Sequence, residues 1–150
     1  MRWILAPLLA SIAAAQQNDG MIRVRSTRDF SQTVTALDSA IAALNLNVFA
    51  RVDHAANARG VGMELHPTIV FILGNPQVGT RLMRCEQTTA IDLPLKILVW
   101  QDSASAVFVG YEAPAKLSER HNVRGCEDVI TRFTAALASL TAAATGTARR

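Results

Sequence analysis

Thr68-Ile69-Val70-Phe71-Ile72-Leu73-Gly74-Asn75-Pro76 is the stretch on which the fold turns. From Thr68 to Leu73 every residue is apolar or β-branched, with no alternation. A strand of this kind needs cover on both faces and a central place in a sheet. Pro67 opens it. Gly74-Asn75-Pro76 closes it, because Asn75 can cap a helix and Pro76 fits the first helical position. A short irregular helix through Val78, Leu82 and Met83 is expected next, interrupted by Gly79.

Working towards the amino terminus, Val48, Ala50 and Val52 alternate with Phe49, Arg51 and Asp53, giving another strand. Asp53 can cap a short helical turn from His54 to Ala58, which Gly60 and Gly62 break. Before that strand, Phe30, Val34, Leu37, Ile41 and Leu44 form one apolar stripe on a helix of about 16 residues. Ser26 or Thr27 can cap it, with Asp29 completing a capping box from Ser26, and Asn45 suits its exit. Ile22 and Val24 alternate with Arg23 and Arg25 in a half-exposed first strand.

Towards the carboxyl terminus, Pro94 leads into Leu95 to Trp100, and Asp102 to Ser105 turn the chain into Val107 to Tyr111, a hairpin. Pro114 starts a helical turn through Leu117. After Gly125, the stripe Val129, Phe133, Leu137 and Leu140 marks a second long helix, and residues 143–150 should fray. The order is β-α-β-β-β-β-α. Hairpin-linked strands favour antiparallel pairing, and two one-sided helices need the same apolar sheet face. The expectation is a two-layer α+β domain, a mainly antiparallel sheet backed by both helices. The other sheet face must meet water, a ligand or a partner. The apolar third strand argues for cover there, from the loops between Gly74 and Asp92 or from a second subunit.

A length of 150 residues suits one domain, and 50% hydrophobic residues suffice for a core. The formal charge of +3 gives no case for nucleic acid. The first residues differ from the rest: Arg2, then an apolar run from Trp3 to Ile12, then Ala13-Ala14-Ala15. This is the secretory pattern, too short to span a bilayer, which takes about 20 residues. Residues 1–15 are expected to be a signal peptide and 16–20 a flexible leader. The mature chain would carry a charge of +2 and reside in the periplasm or outside the cell. No later run is long and apolar enough for a membrane helix, so no membrane contact is expected after cleavage. Export would place Cys85 and Cys126 where a disulfide is permitted. The loop of about 41 residues that they would close is worth about 4 kcal/mol in the chain-entropy model. Two separate thiols are the alternative, because the sequence does not show that their Cβ atoms meet.

Several ordered blocks carry a resemblance. They are Val52-Asp53-His54-Ala55-Ala56 with Ala58 and Gly62; Pro67-Thr68 through Phe71 with Gly74-Asn75-Pro76-Gln77-Val78-Gly79-Thr80 and Leu82-Met83; Ile91-Asp92-Leu93-Pro94-Leu95-Lys96 through Val99; and Val107-Phe108-Val109-Gly110-Tyr111 with Pro114, Leu117 and Arg120-His121. Over residues 21–142 the chain resembles the family called domain of unknown function 302. The resemblance implies a fold like that of the TATA-binding-protein group, with a curved antiparallel sheet, and a homodimer. It implies no activity and supplies no catalytic residue. Nor does the shared fold group license DNA binding.

Three sets of residues are candidates for chemistry. His54, Asp92, Lys96 and Tyr111 would form a mixed acid–base pocket if they converged; Asp53 can instead cap while His54 bonds to a carbonyl. Glu64 and His66 share a side of an extended chain and could ligate a metal with His54, but no fixed further ligand accompanies them, so no metal site is assigned. Gly74, Asn75, Gly79 and Thr80 follow a buried strand and are candidates for a ligand-binding edge, with a structural bend as the plainer account. The segment lacks the phosphate-loop pattern. Cys85 with His54 or His121 is the one nucleophilic option, and a disulfide would cancel it. No motif implies a cofactor. The leading expectation is non-enzymatic binding of a small ligand or a protein partner; an enzyme and a homo-oligomerisation module are the alternatives.

Overall fold

The computed structural model describes residues 19–147. Five strands form one sheet: β1 (Met21–Arg25), β2 (Asn47–Asp53), β3 (Thr68–Gly74), β4 (Leu95–Gln101) and β5 (Val107–Glu112). Their order is β1-β5-β4-β3-β2 and every neighbouring pair is antiparallel. β3 holds the interior place that its composition demands. The helices are α1 (Phe30–Ala43), α2 (His54–Gly60), α3 (Pro76–Cys85), α4 (Pro114–Arg120) and α5 (Glu127–Thr145), with a 3₁₀ turn at Gln87–Ile91. The protein is thus an α+β domain in which α1 and α5 back an antiparallel sheet.

The pleat divides the strands between two faces. Phe71, Leu73, Ile97, Val99, Val109 and Tyr111 are buried against α1 and α5. Leu37 and Ile41 come from α1; Leu137, Leu140 and Ala144 come from α5. Each large side chain here is worth roughly 1.5–3 kcal/mol relative to exposure. Arg51 reinforces the edge of this layer: its guanidinium lies 4.4 Å from the Phe71 ring centroid and pairs with Asp38 of α1.

On the opposite face, Val52, Val70, Leu98 and Gly110 share a register row. Trp100 and Phe108 stack beside them with ring centroids 5.3 Å apart. A Cβ at Gly110 would lie 2.7 Å from Met21 Cε and 2.9 Å from Trp100 Cζ3, so only glycine leaves room for these side chains. Val52, Val70, Leu98, Trp100 and Phe108 all stay partly exposed. The segment between Gly74 and Asp92 does not provide the cover expected of it. Leu82, with Val78 and Leu93, instead joins Leu117, Val123, Val129 and Phe133 in a second apolar cluster built with α4 and α5.

Three local expectations are corrected. The capping box of α1 is Asp29–Gln32, not Ser26–Asp29: Gln32 N donates to Asp29 Oδ1 at 2.8 Å. Ser26 is held in the sheet by its N–H on Val107 O, and its hydroxyl meets Thr33 instead, so the 14-residue helix starts later. Gly79 does not interrupt α3, because its N–H donates to Asn75 O within one continuous helix. The carboxyl-terminal stretch stays helical to Thr145. Thr27 N and Oγ1 both donate to Thr145 O, and Arg28 Nη1 reaches Ala143 O and Ala144 O at 2.7 and 2.8 Å. At the last two residues of the expected leader, Asp19 accepts from Met21 N and pairs with Arg23, and Gly20 O accepts from Ala113 N. The expected signal peptide and residues 16–18 lie outside the described residues.

Candidate functional site

Where β3 ends, the chain makes the most informative turn in the domain. Gly74 closes the strand and Asn75 caps α3, its Oδ1 accepting from Gln77 N at 2.9 Å and Val78 N at 3.4 Å. Pro76 takes the first helical position. The turn lies at the seam between the two apolar clusters, with Leu95 packed against both. The described residues do not fill the seam. Under α5 it opens into a cleft of about 350 Å³, walled by Leu44, Leu46, Leu73, Val78, Phe133 and Leu140. A second cleft of about 240 Å³ lies between α3 and the segment after the 3₁₀ turn, walled by Phe49, Met83, Ala90, Leu93 and Pro94. Both are lined by Gly74, Asn75, Leu95 and Phe133, so they read as two lobes of one site.

Gly74, Asn75, Gly79 and Thr80 all line the smaller lobe. A Cβ at Gly79 would touch Leu93 Cδ1 at 3.8 Å, so the glycine keeps that wall open. Phe49 reaches the same lobe from a register shift between Val48 and Ala50, which sets it outside the regular pairing of β2. No pattern in the sequence announces that bulge. Leu44, at the exit of α1, and Phe49 are both exposed at the rims.

The acid–base set does not converge. Tyr111 lies in the core between sheet and helices, where burial pushes its hydroxyl pKa up. Lys96 pairs with Ile72 on the opposite face, and among the described residues its Nζ reaches only the backbone oxygen of Asp92, at 3.3 Å. His54 starts α2 beside Asp53, which is opposite Ile69, whereas Leu95, three residues after Asp92, is opposite Leu73. Four residues of strand, about 14 Å, separate those two levels. Asp53 caps α2 through Ala56 N at 2.8 Å, the plainer of the two roles weighed for it. Among the described residues, no group of three or more His, Cys, Asp or Glu side chains is placed to hold a metal ion.

Asp92 has other partners. His121 Nε2 lies 2.6 Å from Asp92 Oδ2, and Arg120 Nη1 donates to the same oxygen at 2.7 Å. Arg120 also donates to Glu112 at 2.5 Å. On its other side His121 Nδ1 meets Thr88 Oγ1 at 2.9 Å, and Thr88 Oγ1 lies 2.7 Å from Glu86 Oε1. Burial would raise the Asp92 pKa, but the hydrogen bonds from His121 and Arg120 outweigh it and hold the carboxyl below the usual range. Thr88 holds Glu86 below its ordinary value as well, through its hydroxyl and its N–H. Thr88 has one hydroxyl proton and the Glu86 carboxylate stands ready to accept it, so the trio is not a poised nucleophile and base. Its visible effect is to fix the 3₁₀ turn, which carries one wall of the smaller lobe, against α4. The signal for it was the Arg120-His121 pair in the last of the ordered blocks.

A disulfide joins Cys85, the last residue of α3, to Cys126, the cap of α5, with Cα atoms 6.4 Å apart. The bridge removes Cys85 as a nucleophile and ties together the two helices that wall the cleft.

The model of the family described as "Domain of unknown function DUF302" matches residues 22–140. The chain belongs to that family. Among its relatives are proteins named "Fluoride-specific ion channel FluC 1" from Brucella suis biovar 1 (strain 1330) and from Brucella abortus biovar 1 (strain 9-941), each 37% identical over 123 residues. The match takes in 82% of this chain but only 47% and 44% of those relatives, so this DUF302 chain spans less than half their length. A crystal structure of an uncharacterized conserved DUF302 protein from Bacillus stearothermophilus superposes with a TM-score of 0.74 at 17% identity. It covers 82% of this chain and 96% of that one, so the DUF302 fold is shared nearly end to end.

Proposed function

We propose that this DUF302 domain binds a small apolar molecule in the two-lobed cleft around Gly74 and Asn75. The observation that carries the reading is the unfilled seam itself. Two apolar clusters meet there without closing, and the walls are braced by a disulfide on one side and by the Asp92–His121 contact on the other. Apolar concavities of some 300 Å³ and more, with a few convergent polar groups, are the usual form of small-molecule sites. Native mass spectrometry of protein purified from its own source tests it. A retained small molecule, released by the substitution Gly79→Leu, is expected. An empty protein whose Gly74 and Asn75 amide resonances ignore added decanol would overturn it. The channel names belong to longer chains, and ion conduction is not assigned to this domain.

The partly exposed sheet face supports a second surface, for a second copy of the chain. Five strands about 4.8 Å apart and about six residues long present a footprint of about 500 Å² before side-chain relief. Stable interfaces bury about 800 Å² per partner, so the face is of the right order for a homodimer. Leu98→Glu should convert a dimer to a monomer in sedimentation; a dimer indifferent to it would refute this interface. The curved sheet of the TATA-binding-protein group belongs to the same proposal. So does export to the periplasm or beyond, which the Arg2-to-Ala15 pattern and a disulfide suited to an oxidising compartment support. A mature protein beginning at Gln16 is the expected mass-spectrometric result.

A further inference from the structure

We infer that the cleft selects an apolar chain bearing one anionic head group, with the head at Arg132. The inference rests on the cleft being a ligand site and adds the chemistry of what enters it. Arg132 lines the larger lobe, and among the described residues neither lobe is lined by an aspartate or a glutamate. The cleft's charge is therefore one cation, set beside apolar walls. Asp128, one helical turn before Arg132, is the neighbour that could neutralise it. Asp128 is instead engaged by Arg81 of α3, at 2.8 Å, and among the described residues Arg132 has no ion pair. Asn75 adds a donor at the junction of the lobes. Its Oδ1 is spent on the cap of α3, which leaves the carboxamide N–H groups as the part available to a ligand. An uncompensated guanidinium favours carboxylate or phosphate oxygens, and such a site rejects a cationic head of equal chain length.

The test uses the full mature chain and three probes of one chain length: decanoate, decanol and decyltrimethylammonium. Amide shifts at Gly74, Asn75 and Phe133 locate binding, and calorimetry gives affinities for the natural chain and for Arg132→Met, which keeps an apolar stem. An exposed ion pair is modest, so the decanoate-to-decanol affinity ratio should fall about two- to fivefold in Arg132→Met. Decyltrimethylammonium should bind the natural chain most weakly. If both decanoate and decanol bind in the cleft but Arg132→Met leaves their ratio unchanged, the head-group assignment is wrong while the cleft stands. If neither probe shifts the cleft amides, both readings fall.

Discussion

Replacing Cys85 and Cys126 together by alanine opens a loop with a sequence separation of 41 residues. In the chain-entropy model, closing a loop of that length removes about 13 cal/mol/K from the unfolded ensemble, or about 4 kcal/mol at 25 °C. A domain of this size has a total stability of only about 5–15 kcal/mol. The double variant should therefore lose a large share of it, with the urea midpoint falling by about 2 M and the melting temperature by on the order of 10 °C. The urea slope should rise, because an uncrosslinked chain exposes more surface on unfolding. The cleft adds a second readout. With α3 and α5 no longer tied, amide exchange should quicken at Val78 and Phe133 more than at Val99, which lies in the sheet core. Paired urea titrations, oxidised natural chain against the double variant, measure the first effect. A loss below about 1 kcal/mol with an unchanged slope would refute the reasoning, since it would mean that the unfolded chain gains nothing from the opened loop.

Asp92→Asn should flatten the acid limb of stability. The Asp92 pKa is held below its ordinary value in the fold, so its contribution is present above about pH 4 and lost as pH falls through the folded value. Urea midpoints from pH 7 to pH 2 for both proteins check it. Gly79→Ala should stabilise α3 by about 0.5–1 kcal/mol in urea, since the added Cβ makes only ordinary contact with Leu93. Arg28→Ala should cost about 1–2 kcal/mol and speed hydrogen exchange from Ala142 to Gly146, because the guanidinium closes the carbonyl end of α5. Gly110→Val should cost more than either, with soluble yield as the first readout, because its Cβ would meet Ile22 O at 3.0 Å as well as two side chains.

The order of strands and long helices was legible in the sequence because burial writes itself as period. Phe30 to Leu44 and Val129 to Leu140 repeat at helical spacing, and Thr68 to Leu73 lacks any polar alternate. What period does not carry is the partner across the chain. β1 lies beside β5, at the far edge from β2, and nothing local in Met21 to Arg25 says so. The same limit explains the caps and the tail. Ser26 is a fair N-cap by type, but a hydrogen bond to Val107 claims it for the sheet. The residues after Thr141 look small and polar, yet Ala144 is buried in the core cluster, and Thr27 and Arg28, just before α1, hold the carbonyls of Thr145 and Ala144. The acid–base set failed for a similar reason. Lys96 and Tyr111 lie on different strands, and their placement on opposite faces depends on register, which composition does not fix.

The glycine-flanked segment from Gly74 to Thr80 behaved differently, and the reason bears on where function resides. A buried strand that stops abruptly must hand its apolar rows to something else. Here it hands them to two clusters at once: Leu73 belongs to the sheet core, while Val78 and Leu82 belong to the cluster of α4 and α5. Small residues at the handover, Gly74 at the end of β3 and Gly79 inside α3, carry no side chain that could fill the space between clusters. Filling it would have taken only larger side chains, and a packed seam would be more stable by the dispersion and transfer terms that cavities forfeit. Instead the rest of the chain braces the gap, with a covalent tie from Cys85 to Cys126 on one flank and the Glu86–Thr88–His121–Asp92 contacts on the other. Bracing an opening from both sides, rather than closing it, is what a site that must keep its shape for a ligand requires.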